Sequence, residues 1–176
     1  MRAADERGWL PWAVAAAFLA LYAPGVLRPS LFCDEGIWAY IGWLWDAFGL
    51  APYQAAIENK PPLVFLAYRV AHALFGHGLG ALVAVRALAL LLVVLSSVQV
   101  AAMGRRMGGP TAARLSQLVY LLLMGWSATG DLAYVYTESF MIPFAVLGFG
   151  CVQALDTATP RTRHALALAA GVAFCL

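Results

Sequence analysis

The sequence has little charge and a single lysine. Charged residues make up 11% of its 176 residues and hydrophobic residues 63%, whereas about a quarter of the residues in soluble domains are charged. A chain with this composition has too little polar surface to cover itself in water, which excludes an ordinary soluble domain and favours a membrane protein. The formal net charge is only +2, and no basic cluster alternates with aromatic residues, so we expect no nucleic-acid partner.

Cysteine is also scarce. Cys33, Cys151 and Cys175 lie in different segments and at no metal-binding spacing, so neither a disulfide nor a zinc site is predicted. The sequence contains no internal repeat, low-complexity tract or linker. It therefore predicts that residues 1–176 belong to one domain.

Long apolar runs, in contrast, recur along the chain. A membrane-spanning helix needs about 20 apolar residues. The sequence predicts an all-α, multi-span membrane protein with spans at about 9–27, 81–103, 112–130 and 139–155, and a fifth that begins at residue 164. The fifth run is incomplete at Leu176, so we expect the sequence to be the N-terminal part of a longer protein.

The apolar runs at 9–27 and 61–75 need separate treatment. The first follows Arg2 and Arg7, as the apolar part of a signal peptide would, but it is long and no small-residue cleavage site follows it. We therefore expect an uncleaved span. The second is only 15 residues long and carries Arg69, which is short for a span and suits a helix lying in the membrane interface.

Charge placement supports this assignment. If the run at 61–75 does not cross, the N-terminal arginines and those in segments 104–114 and 156–164 all face one side, as the positive-inside bias requires. We therefore predict that the N-terminus is cytoplasmic in a multi-pass protein of the cytoplasmic membrane. Residues 28–80 then form one long external loop, and residues 130–138 form a short one.

The long external loop has a helical periodicity of its own. In DEGIWAYIGWLWDAFG, residues 34–49, polar or small residues recur at steps of 4, 3, 4 and 3 from Glu35 to Gly49, which is the spacing of one helix face. The other face carries tryptophan and aliphatic residues, so we predict an amphipathic helix on the membrane surface. Gly49 and Pro52 are expected to end it. The loop is thus predicted to hold two juxtamembrane amphipathic helices, with NKPP, residues 59–62, between them.

Most of the acidic side chains fall in these two external loops. The first contains Asp34, Glu35, Asp46 and Glu58 beside Lys60, and the second contains Asp131 and Glu138. If the spans form a bundle, both loops open at the same membrane face. A lysine there could hold a phosphate as a point charge, and an ionised carboxylate near it could deprotonate a hydroxyl.

Several of these residues also have a purely structural interpretation. Asp34 could cap its helix, Glu35 could be a first-turn acid that faces water, and Lys60 could be a solvated loop residue. Asp46 is expected to be solvated, and Asp131 is expected to mark the end of a span.

Residues near the mouths of the spans complete the candidates. Glu138 lies where a carboxylate needs a partner. For Arg86, early in the second span, snorkelling to the interface is favoured over ligand binding. His72 and His77 are expected to be interfacial or loop residues, and neither is predicted to be a metal ligand.

The order of these features resembles that of a known family. An N-terminal span is followed by DEGIWAY, a turn with Gly49, Pro52 and Tyr53, the NKPP sequence, a short segment ending in Phe75 and Gly76, and Arg86 at the head of the next span. This order resembles class C glycosyltransferases that use polyprenyl-phosphate sugars. The most similar branches are the protein O-mannosyltransferase-like and aminoarabinose-transferase-like proteins. The resemblance covers about residues 9–155.

The resemblance implies a fold and a reaction. The fold is a multi-span helical membrane protein whose first external loop carries two juxtamembrane helices. The enzyme would move a sugar from a polyprenyl phosphate to an acceptor hydroxyl outside the cytoplasmic membrane, with inversion at the anomeric carbon. Its partners would be the polyprenyl-phosphate sugar donor, the lipid bilayer and a protein, lipid or glycan acceptor.

The resemblance also implies roles for residues of this sequence. Asp34 would be the catalytic base, and Glu35 would support it. The substrate-binding residues that it implies are Lys60, which would hold the lipid phosphate, Tyr53, Asn59 and Glu138, with Asp131 as the alternative to Glu138.

The sequence departs from the aminoarabinose branch just before its lysine. There the family has an acid that helps to hold a divalent metal, whereas this sequence has Asn59, with Glu58 one position earlier. No cofactor is therefore predicted with certainty, and a divalent metal ion with Glu58 as a ligand stays an open alternative. The histidine that would complete such a site would lie beyond Leu176, and we expect this segment alone to be inactive.

Two other functions stay open. Multi-span bundles with intramembrane charges are typical of transporters and of flippases for lipid-linked sugars. Here, however, the acids gather at one face rather than at the membrane midplane, and the predicted spans include no pair of broken helices. A structural membrane subunit is the third alternative, and it predicts no dependence on Asp34 or Lys60.

Overall fold

The computed structural model of the chain describes residues 9–29, 33–54, 56, 58–126 and 138–175. Across these ranges the protein is 86% helix, with six helices and no strand. The helices are α1 (Leu10–Val26), α2 (Cys33–Phe48), α3 (Pro62–Phe75), α4 (Leu79–Trp126), α5 (Glu138–Ala154) and α6 (Pro160–Cys175). The predicted all-α class is confirmed for the described chain.

The two helices predicted in the long loop are both present. α2 ends where Gly49 takes a positive φ of 71°, and the Leu50 N–H donates to the Leu44 carbonyl, so the helix closes with a glycine turn. α3 begins at Pro62 with Pro61 as its N-cap. Proline suits the first position of a helix because its fixed φ is helical and the N–H it lacks would have had no partner.

α4 is a hairpin of two helical arms, residues 79–107 and 110–126. Gly108 and Gly109 have non-helical backbone angles, and Pro110 follows them. The arms fold back on each other, because Ser116 Oγ donates to the Val100 carbonyl over 3.3 Å. The predicted loop at 104–114 is therefore wrong in extent: its arginines continue the helices, and only two glycines make the turn.

Packing contacts set the direction of the other helices. α1 runs beside the second arm of α4, since Gln117 Nε2 donates to the Pro11 carbonyl over 2.8 Å. α5 runs beside the first arm, since Gln99 Nε2 donates to the Val146 carbonyl over 3.2 Å. α6 packs back on α5 through the Phe149–Phe174 ring pair, whose centroids lie 5.2 Å apart.

These directions give the bundle two distinct ends. The loop end, as we call it, holds the end of α1, helices α2 and α3, and the starts of α4 and α5; Phe140 of α5 packs into the same core as α2 and α3. The opposite end, the arginine end, holds the α4 turn and the α5–α6 connection. The arginines there are exposed: Arg105, Arg106, Arg114, Arg161 and Arg163. α6 also begins here, at Pro160, four residues before the predicted start.

One stretch of the described chain is both long and apolar enough to cross a membrane. It is Leu79–Gly125, which lies within the α4 hairpin. Three further apolar helices are shorter, at 10–17 residues: Leu10–Val26, Pro62–Phe75 and Glu138–Ala154. The membrane character of the sequence is thus carried by α4, and the number of crossings is part of the proposal below.

Candidate functional site

The candidate site lies at the loop end, where α2 and α3 cover the start of α4. Trp38, Phe65, Tyr68 and Val85 are buried together in one hydrophobic cluster, and Phe140 of α5 joins them. Gly42 allows the close approach of α2 to α3, because a Cβ at this position would meet the backbone nitrogen of Arg69 at 2.9 Å. The cluster fixes the first turns of α2 against α4.

A buried ion pair joins α2 to α4. Glu35 has no exposed surface, and Arg86 is 2% exposed. Arg86 Nε donates to Glu35 Oε1 over 2.8 Å, and Arg86 Nη2 donates to Glu35 Oε2 over 2.7 Å. This fork-to-fork geometry fixes both side chains, and it compensates for part of the cost of removing two charges from water.

Further groups complete this polar network. Arg86 Nη1 donates to the Arg28 carbonyl over 2.5 Å, which ties the end of α1 to the ion pair. The Tyr68 hydroxyl donates to Glu35 Oε1 over 3.4 Å. Burial and, to a lesser extent, the Glu35 charge hold the pKa of Tyr68 well above its ordinary value, so this hydroxyl stays protonated and remains a donor.

The pair corrects two sequence interpretations. Glu35 does not face water as a first-turn acid, and Arg86 does not snorkel to the interface. The polar stripe of α2, on which Glu35 lies, packs inward against α3 and α4 instead of facing solvent. The sequence gave no local sign of the pairing, since 51 positions separate the two residues, although opposite charges near the mouths of two helices at the same membrane face were a usable clue.

Asp34 lies beside the buried pair and is exposed. α2 begins at Cys33, so Asp34 is in the first helical turn rather than at the cap position. Its side chain makes no hydrogen bond or ion pair to another described residue. The carboxylate is therefore accessible, and its position is set by the neighbouring Glu35, which cannot move.

The segment before α3 presents Lys60. Tyr53 takes a positive φ of 71°, and its hydroxyl donates to the Lys60 carbonyl over 2.5 Å, while its ring packs edge-on against Phe65. A tyrosine in this backbone region is strained, so the turn is held by its contacts. The Lys60 side chain is half-buried and has no ion-pair partner among the described residues.

The remaining predicted site residues are placed as follows. Glu58 Oε1 accepts the Asn59 backbone N–H over 2.8 Å, and Asn59 is exposed. Glu138 is exposed at the first position of α5, and Asp131 lies outside the described residues. The described residues contain no group of three or more His, Cys, Asp or Glu side chains suited to a metal ion, so they offer Glu58 no complete ligand set.

Sequence reasoning missed a second polar cluster on α2 and α3. His77 Nε2 and Asp46 Oδ2 are 2.9 Å apart, so Asp46 has a partner and the expectation that it is simply solvated is corrected. His72 is 8% exposed, not interfacial, and its Nε2 lies 3.0 Å from the Ala39 carbonyl oxygen. Helical spacing could have found these contacts only with the packing of α2 on α3 known.

Comparisons with known proteins add no family to this geometry. No protein-family model, no curated protein and no solved structure matches the chain.

Proposed function

We propose that this chain is the N-terminal part of a membrane glycosyltransferase that uses a polyprenyl-phosphate sugar. The observation that supports this most directly is the arrangement at the loop end. An exposed carboxylate, Asp34, is held in place by the buried Glu35–Arg86 pair beside it. A positioned, solvent-accessible carboxylate is the group that an inverting transferase needs as its base.

The proposed orientation puts the loop end outside the cytoplasmic membrane. α1, the two arms of α4, and α5 then cross the bilayer, with α2 and α3 lying on its outer surface. The exposed arginines of the opposite end face the cytoplasm, which is the expected sign asymmetry. The 17 residues of α1 and of α5 give each about 25 Å of helix, so the flanking residues extend each crossing.

The proposed mechanism is a single displacement at the anomeric carbon. Asp34 accepts the proton of the acceptor hydroxyl as its oxygen attacks the face opposite the phosphate. The new carbon–oxygen bond forms while the bond to the phosphate oxygen breaks, and polyprenyl phosphate leaves with the electron pair. The configuration inverts, and no oxidant or reductant is needed.

Lys60 is the proposed holder of the donor phosphate. The leaving group is already a phosphate, so it needs charge stabilisation rather than protonation. Lys60 provides the only ammonium side chain of the sequence, and Pro61 and Pro62 fix the start of α3 immediately after it. Tyr53 holds the Lys60 backbone, so its proposed role is to position the amine. Asn59 and Glu138 are exposed and are proposed to contact the substrate.

A product assay tests this function against transport. The complete reading frame is expressed in membrane vesicles, which are supplied with radiolabelled polyprenyl-phosphate sugars and with cell-envelope acceptors. We expect label to appear in a new covalent product. Label that enters the vesicle lumen unchanged, with no product from any donor, would contradict the transferase and favour a flippase or transporter.

A further inference from the structure

A cavity of about 450 Å³ opens at the loop end, separate from the residues proposed to react. Side chains of α2, the end of α3 and the start of α4 line it, including Tyr40, Trp43, His72, His77 and Leu82. Its volume is in the range of small-molecule sites, about 300–1,000 Å³. Asp34, Glu35 and Lys60 do not line it, so the proposed mechanism leaves the cavity unexplained.

One polar atom at this cavity lacks a partner. His72 is 8% exposed, and its Nδ1 is buried with no hydrogen bond to another described residue. The Ala39 carbonyl, 3.0 Å from Nε2, can only accept, so the ring hydrogen lies on Nε2. Nδ1 of the neutral ring then carries a lone pair and needs a donor, and leaving it unmet has a desolvation cost.

The rest of the lining defines what can accompany that donor. Trp43 and His77 pack edge to face, with centroids 6.4 Å apart, and Asp46 holds the His77 ring through its hydrogen bond. Aromatic faces of this kind pack against the C–H groups on the face of a sugar ring. An alkyl chain would fill the apolar part of the cavity but would leave His72 Nδ1 without a donor.

We propose that this cavity binds a sugar ring of the substrate that does not itself react, with a ring hydroxyl donating to His72 Nδ1. The inference rests on the proposed function and extends it to a second subsite. Tyr40 and Trp43 follow Asp34 by six and nine positions on α2, which is about 9 and 14 Å along the helix. That distance is too long for Asp34 to deprotonate a hydroxyl of this ring. The ring instead contributes remote binding energy that orients the reacting part.

Direct binding of simple sugars tests the subsite. The full protein in nanodiscs is titrated with methyl hexopyranosides and followed by saturation-transfer NMR. Their fully O-methylated counterparts, which have no hydroxyl donor, are the matched probes. We expect saturation transfer to the methyl hexopyranosides and at least a tenfold weaker response from the O-methylated probes, about the effect of one lost hydrogen bond to a buried group.

Two variants and a control make the test specific. His72→Gln keeps an amide N–H near Nε2 for the Ala39 carbonyl but removes the Nδ1 acceptor, so we expect the Kd to rise about tenfold. Leu79→Trp, at an exposed position of the lining, should block the cavity without touching His72. His164→Gln, at an exposed position of α6 near the arginine end, should bind as the wild type does.

The outcomes separate this inference from the proposed function. It is overturned if the wild type shows no saturation transfer, if His72→Gln binds equally well, or if the O-methylated probes bind as tightly as the free sugars. Sugar transfer that depends on Asp34 together with no sugar binding here would overturn only the subsite. Binding here together with transfer that is independent of Asp34 would overturn the proposed base and leave the subsite standing.

Discussion

An acidic side chain in the first turn of a helix is stabilised there by the helix dipole, even without a partner. Asp34 and Glu35 both satisfy this condition, and sequence periodicity placed Glu35 on the polar face of α2. The structure separates the two residues: Asp34 is exposed, whereas Glu35 is fully buried against Arg86. Their difference depends on a residue 51 positions away, so no local pattern could have predicted which acid is free to react.

The buried pair makes a prediction at the residue scale. Glu35→Gln leaves the Arg86 charge buried without compensation, so we expect the free energy of unfolding to fall by about 3–5 kcal/mol. The measurement is reversible unfolding in mixed micelles. Glu58→Gln, which alters a half-buried acid with only a local hydrogen bond, is the matched control and should change stability by less than about 0.5 kcal/mol.

A double variant shows whether the loss comes from the unpaired charge. Glu35→Gln combined with Arg86→Met removes both charges and should recover part of the stability that the single variant loses. Equal stability of Glu35→Gln and the wild type would contradict the structural role assigned to the pair.

At the scale of the helices, sequence patterns performed well where the period was regular. α2 and α3 were predicted within about one residue because helical spacing, Gly49 and Pro62 mark their limits. The α4 turn was predicted too wide because polarity was taken as the sign of a loop. Arginine is a good helix former, so both arms extend past the apolar run, and only Gly108 and Gly109 break the helix.

The contact between α2 and α3 gives the prediction at this scale. A Cβ at Gly42 would lie 2.9 Å from the Arg69 backbone nitrogen and closer still to the Tyr68 Cβ. Gly42→Ala should therefore push the helices apart and lower the free energy of unfolding by about 1–3 kcal/mol. Gly36→Ala lies on the same helix with nothing within 4 Å of the added Cβ, so it should be neutral or stabilise by up to about 1 kcal/mol. Equal effects of the two substitutions would argue against this packing.

For the whole molecule, the distribution of charge agrees with the helix directions. The N-terminal side of α1, the α4 turn and the start of α6 share one end, and the candidate site is at the other. The sequence predicted this separation from the positive-inside bias alone. The number of crossings could not be derived as securely, because α1 and α5 are shorter than a typical span.

The proposed orientation can be tested with the single lysine. Lys60 and the N-terminal amine are the amines of the sequence, and the proposal puts them on opposite faces of the membrane. A membrane-impermeant amine reagent applied to right-side-out vesicles should modify Lys60, and applied to inverted vesicles it should modify the N-terminus. Mass spectrometry of the peptides reads out the result, with Lys60→Arg as the blank. Modification of both amines from the same side would contradict the proposed topology.

The most direct test of the central claim is sugar transfer by Asp34→Asn. The substitution keeps the size of the side chain and leaves the Glu35–Arg86 pair intact, but it removes the proposed base. The matched control is Asp156→Asn, an exposed acid near the arginine end. With equal amounts of each protein in membranes, we expect Asp34→Asn to lower the transfer rate by about 100-fold or more and Asp156→Asn to leave it unchanged. Transfer by Asp34→Asn at the wild-type rate would contradict the account, because the exposed carboxylate would then have no part in the chemistry.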